Sequence, residues 1–300
     1  MRRIIDAHAH LGDIFHENRN ISFKTNVKKG DYEDRFIELE ESLFEKPLFT
    51  DDPRDLQLVI DGGQFRCLEA TLENTVRQLD ECEMAGIVLL PVLPNTTFEE
   101  YLAASKLEPR LIPFTAADMT LPLDEMTAKL RRDVGRGAKG LKLHPILQNV
   151  HLMDDRMVAA AEVFAEVDLP VVIHVGEGTY YSADKNYPVN SKYGAMADFF
   201  SFARLRKDQV LVAAHCAADA DVLMEGCRGL ENVYADTSFC SVDLARKAVN
   251  IMGADRVMFG TDYPFVNEKF CVEVIDRAFA DDPVTKDKVF YGNIARLLHL

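Results

Sequence analysis

Short apolar, β-branched runs alternate with longer amphipathic stretches along most of this chain. The runs fall at 2–8, 86–92, 110–116, 139–144, 170–175, 210–215, 232–238 and 256–262, and each reads as a strand. Helix-length segments lie between them. One follows Thr71, a good N-cap, and another follows Thr96 and Thr97; a third begins after Pro122 and ends at Gly135. A last one starts at Asp282-Pro283 and runs toward Leu298. From the third run onward, successive runs begin 29, 31, 40, 22 and 24 residues apart, the length of a βα unit. Eight such units predict an α/β fold, a single-domain (β/α)8 TIM barrel. An open doubly wound sheet is the runner-up. It would want a glycine-rich phosphate loop after the first strand, and none is there.

The spacing breaks once. His10 and Gly86 are 76 residues apart, where about 30 would serve. Residues 13–67 are therefore an insertion after the first strand, expected over the C-terminal mouth of the barrel, where active sites sit. Its acidic run at 31–42 suits a solvated helix face.

Composition narrows the class. The chain has 300 residues, 48% hydrophobic and 28% charged, which excludes disorder. The formal net charge of −15 argues against nucleic acid or an anionic membrane surface as partner. No apolar run approaches the ~20 residues of a spanning helix, and the opening MRRIIDAHAH lacks the apolar stretch of a signal peptide. The six cysteines form no CxxC pair and read as buried thiols, so a cytoplasmic location is expected.

The histidines then change the picture. His8 and His10 end the first strand, two residues apart and so on one side of it. His144, His174 and His215 end the fourth, fifth and sixth strands, and Asp262 ends the eighth. His16 follows the first strand closely. Six of eight histidines thus gather at one rim of the expected barrel. Imidazoles and a carboxylate converging there suit a zinc-like ion.

These residues resemble the amidohydrolase superfamily, within it the amidohydrolase-related group that includes aminocarboxymuconate-semialdehyde decarboxylase-like enzymes. The matching pieces are IDAHAH, GLKLHP, VVIHVGEG, LVAAHC, VYADTS, FGTDYP and GNIARLL. The resemblance implies one divalent metal, held by His8, His10, His174 and Asp262. Zinc is the first expectation; manganese and cobalt are alternatives. Asp262 would also move a proton to or from the activated water, and His215 would polarise the substrate carbonyl or act as acid/base. Lys142 and His144, both inward on strand four, are expected to bind substrate. A carboxylated Lys142 bridging a second metal is the minority alternative. The family usually shows glycines after the strand-six histidine, where this chain has Cys216-Ala217-Ala218.

Further expectations rest on single residues. Arg66 would clamp a substrate carboxylate. Tyr180, with Tyr181 and Tyr187, would wall the site from the loop after strand five, and Phe265 would line it. Asp6 would orient a ligand imidazole, with Asp236 and Ser238 as outer support. The expected function is a metal-dependent hydrolase of a small, carboxylated lactone, amide or ester. A non-oxidative decarboxylase of an aromatic or enoic acid is the alternative, and a non-catalytic barrel the third reading. A homodimer acting on a small molecule is the expected assembly.

Overall fold

The computed structural model describes residues 2–15, 34–181, 189–217 and 219–300. His16, Tyr187 and the start of the acidic run lie outside the described residues. The strands are β1 (Ile5–Ala9), β2 (Gly86–Leu89), β3 (Leu111–Pro113), β4 (Thr115–Ala116), β5 (Leu141–Leu143), β6 (Val171–His174), β7 (Leu211–Ala214), β8 (Val233–Asp236) and β9 (Val257–Met258). Every pairing is parallel and joins neighbours in the chain.

The third predicted strand is divided at Phe114 into β3 and β4. Its backbone carries on regardless: Phe114 N–H donates to Leu89 O, and Thr115 N–H to Gly140 O. The buried Phe114 ring lies over Gly140, where any Cβ would collide with it. The first and last strands also meet. Ala7 N–H donates to Phe259 O at 2.8 Å, Asp262 N–H to His8 O at 2.8 Å and His10 N–H to Tyr263 O at 2.7 Å. The result is a TIM barrel.

Alternation sorts the side chains into two layers. Ala7, Val88, Leu90, Val172, Val212 and Met258 fill the barrel interior. Ile87, Leu89, Leu143, Ile173, Leu211 and Val257 face the helices. Ile294 and Leu297, from the C-terminal helix Asn293–Leu297, join the interior layer and close one end.

Capping fixes the helices where the sequence places them. The Thr71 side chain accepts from Asn74 N–H at the start of Leu72–Glu81. Thr97 and Glu100 form a reciprocal capping box on Phe98–Leu107. The helix Leu123–Gly135 has the predicted bounds. The last segment runs as one helix from Pro283 to Leu297, as predicted, with a π-helical turn at Lys288–Gly292 inside it. Among the described residues between β1 and β2, Phe36–Glu41 falls in the acidic run expected as a solvated helix face, but it buries Phe36, Leu39 and Glu40; Asp55–Leu68 is a helix that periodicity does not announce.

Candidate active site

The site begins with an irregularity in β1. Asp6 pairs with Ile87 but Ala9 with Leu89, so three steps on one strand oppose two on the other. A bulge of this kind re-aims side chains. Asp6, between the inward Ile5 and Ala7, faces outward, where it accepts from Thr261 Oγ1 at 2.6 Å and from the His8 backbone N–H at 2.8 Å. Beyond the bulge His8 and His10 turn inward. The expectation that Asp6 orients a ligand imidazole is therefore corrected: it holds backbone on the helix side of the strand. Burial there raises its carboxyl to about 7, and the nearby buried Glu268 is raised still more clearly, first by burial and then by Asp6.

Two more backbone features aim the other strand ends. His215 and Asp262 have φ of 66° and 64°, in the left-handed region. Val212 and Ala214 face the interior, so simple alternation would send His215 outward; the left-handed turn brings it back. Gly260 is the third device. A Cβ there would lie 2.7 Å from Asp236 Cβ and 3.2 Å from His8 Cβ, so only glycine lets these two side chains meet.

At the centre His8 Nε2 and His10 Nε2 lie 3.2 and 3.1 Å from Asp262 Oδ1. The far nitrogens of both rings are held. His8 Nδ1 donates to Asp236 Oδ2 at 2.8 Å, and His10 Nδ1 to the Leu90 carbonyl at 2.6 Å. That fixes the tautomer that leaves Nε2 free as a ligand, the arrangement typical of metal-binding histidines. Asp236 is itself pinned by Ser238 Oγ, Ser238 N–H and His215 N–H. The donor set His8, His10 and Asp262 is buried and fits a divalent ion. A second grouping of His8, His215 and Asp236 uses the carboxylate already spent on these hydrogen bonds.

The charges support this assignment except at His8, which burial and Lys142 lower but Asp236 and Asp262 leave raised. Burial alone would raise Asp262, yet His215 and His8 hold it well below the usual carboxylate range. Burial drives His10 down, and drives His215 down to about 4, which leaves these imidazoles neutral near pH 7. Burial likewise lowers Lys142 to about 8, although Asp262 and Asp236 pull the other way. Its Nζ lies 3.5 Å from His8 Nε2.

The remaining predicted residues divide. His174, the implied fourth ligand, stands beside the three-residue cluster rather than in it. Its Nδ1 is 3.0 Å from His215 Nε2 and its Nε2 2.8 Å from the Tyr180 hydroxyl. His215 Nδ1 is 3.0 Å from Ser238 Oγ and 3.6 Å from Asp262 Oδ2. His144 stacks on His174 with ring centres 4.1 Å apart. Its Nδ1 accepts from Leu147 N–H, so its proton sits on Nε2. Lys142, His144, Tyr180 and Phe265 all line one cavity of about 810 Å³ with His10, His174, His215 and Asp262. Tyr181 instead donates to the Phe15 carbonyl at 2.7 Å.

Arg66 is the second correction. It is buried, and its guanidinium is spent. It makes a two-bond contact with Glu40 at 2.7 and 3.0 Å, and donates to Asp34 at 2.8 Å and to the Phe265 carbonyl at 2.8 Å. It ties the insertion to the loop after β9 and is not placed to clamp substrate. Glu40 also accepts from the backbone and side chain of Asn267. No local signal announces this pair, whose members are 26 residues apart.

The chain belongs to the amidohydrolase family (Amidohydro_2), whose model matches residues 5–300. It is accordingly an enzyme. No curated protein matches it in sequence. Among solved structures it is similar to a 2,6-dihydroxybenzoate decarboxylase in complex with 2,6-dihydroxybenzoate, with TM-score 0.66 and 14% identity over 100% of both chains. It is also similar to a probable 2-pyrone-4,6-dicarboxylic acid hydrolase from Acinetobacter baumannii with citric acid bound, with TM-score 0.58 and 13% identity over 100% of both chains. A third is the 5-carboxyvanillate decarboxylase of Novosphingobium aromaticivorans in complex with manganese, with TM-score 0.60 and 14% identity over 100% of both chains.

Proposed function

We propose that this enzyme is a metal-dependent hydrolase that cleaves an ester, lactone or amide bond of a small molecule. The observation that carries the reading is the pairing of Asp262 with two imidazoles on one side and His215 on the other, at the floor of a cavity. His8, His10 and Asp262 hold the ion, and His174 is the fourth candidate. A divalent ion at such a site lowers the pKa of bound water to about 7 and so supplies a nucleophile at neutral pH. Asp262 Oδ2, turned toward His215, takes up a proton and returns it to the leaving group. His215, neutral and donating its Nδ1–H to Ser238, keeps a bare Nε2 and is a second group able to take up a proton. Asp236 keeps His8 and His215 in register. Zinc is the ion proposed, and a homodimer and a cytoplasmic location complete the proposal. The location is supported by six unpaired buried cysteines. Among the described residues no helix is long and apolar enough to cross a membrane.

The second reading is non-oxidative decarboxylation, favoured by the decarboxylases among the structural relatives. Labelled water separates the two. Hydrolysis puts one 18O from H2 18O into the product acid. Decarboxylation releases CO2 and puts solvent hydrogen on carbon. The metal-loaded enzyme, run against a panel of lactones, esters, amides and aryl acids, should give the first outcome; CO2 release without acid labelling would contradict it.

A further inference from the structure

The cavity above the metal cluster is walled by apolar side chains along most of its height. On the helix Asp55–Leu68, Leu56, Val59, Ile60 and Gly63 stand at i, i+3, i+4 and i+7, one face of the helix, and all four line the cavity. Leu56 is 48% exposed, and Phe49, which also lines the cavity, is 51% exposed. A helix stripe of this kind ordinarily packs on protein, and here it faces the space over the site. Adjoining it, rings follow one another from the floor to the insertion, with Phe265 and Phe36 packed on the helix at Gly63. The Tyr180 hydroxyl bonds His174. Tyr180 stacks on Phe15 with centres 5.8 Å apart, Phe15 meets Phe265 at 5.8 Å, and Phe265 meets Phe36 at 6.1 Å. Among the described residues the only cations on the lining are Lys142, at the floor, and Lys46. A volume of about 810 Å³ lies toward the upper end of the range for drug-sized ligands.

We propose that the substrate presents its reactive carbonyl to the floor and carries an extended, uncharged apolar or aromatic body, received against the 55–68 helix and the adjoining Tyr180–Phe15–Phe265–Phe36 rings. This rests on the hydrolase reading for which end of the molecule reacts. The apolar body is argued from the walls alone. Burying each added methylene should tighten binding about fourfold until the chamber is full.

The test separates the two ideas. Calorimetric titration of the metal-loaded enzyme with straight-chain acids from acetate to decanoate, and with biphenyl-4-carboxylate, reads binding without turnover. Affinity should rise about fourfold per methylene over several methylenes, and the ratio of octanoate to acetate affinity should fall at least tenfold in Leu56→Asp and Val59→Asp. Both positions are partly exposed on a helix; Phe49→Ser gives an independent third variant outside it. Flat affinity along the series, or a ratio untouched in all three variants, overturns the proposal. Length-dependent binding with no ester turned over supports the chamber and sinks the hydrolase reading. Turnover of acetyl esters with flat binding does the reverse.

Discussion

The floor of the site and its roof are built on opposite plans. The floor is polar, buried and cross-braced: His8, His10, Asp236, Ser238, His215 and Asp262 come from the first, sixth, seventh and eighth predicted strands and satisfy one another within about 3 Å. Among the described residues the roof is one helix stripe and a row of rings, with Leu56 and Phe49 half exposed on the cavity. It is attached from behind, through Arg66 gripping Glu40, Asp34 and the Phe265 carbonyl. The contrast separates chemistry from choice of substrate. Rigid strand ends hold reacting groups to fractions of an ångström, and an inserted, loosely apolar roof sets what fits.

Substitutions on each side should break that division in different ways. The largest effect is expected at the floor. Asp262→Asn removes both a metal ligand and the proton acceptor, and kcat should fall by about 10³-fold or more. Circular dichroism should show the fold intact; an active, metal-replete variant would contradict the assignment. Next comes the roof's anchor. Arg66→Ala leaves Glu40 and Asp34 buried without their cation, so urea unfolding should show a loss of about 3–5 kcal/mol. Were Arg66 a substrate clamp instead, KM would rise and stability would hardly move. Asp236→Asn should weaken metal binding about 10- to 100-fold in a chelator competition, since it frees the His8 ring without touching the ion.

The smallest effect concerns the lysine in the floor. Burial puts Lys142 near 8 in the folded protein against 10.5 for the free side chain. Below pH 8 both states hold the proton, and the folded state bears the cost of a buried charge. Between about 8 and 10 the unfolded chain holds more protons, so stability should rise with pH, by about 1 kcal/mol per unit at most. The difference in unfolding free energy between metal-free wild type and Lys142→Met should show that slope. A flat difference would place Lys142 as a permanently charged, paired cation.

The same contrast explains what the sequence discloses. Strand ends repeat with period two and helices carry caps, so the barrel and its ring of histidines are legible. Two details of aim are not. The β1 bulge turns His8 and His10 inward, off the side that Asp6 faces, and the left-handed backbone at His215 turns that ring inward; neither leaves a mark in residue order. Gly260 sits within the FGTD motif but shows its purpose only once His8 and Asp236 are seen to cross above it. The roof is less legible still. Phe36–Glu41 is six residues long, and Asp55–Leu68 carries Gly62-Gly63 inside it, which weakens any helical signal. Its apolar stripe faces a cavity, and Arg66 finds partners no spacing rule connects.

The chemistry of the floor turns on His8, His10 and Asp262 holding a single divalent ion. Elemental analysis of protein purified without chelator tests it most directly, on wild type and His10→Ala side by side. About one ion per wild-type chain, lost in the variant, is the predicted result. No ion in the wild type, even after soaking with zinc, manganese or cobalt, would contradict it.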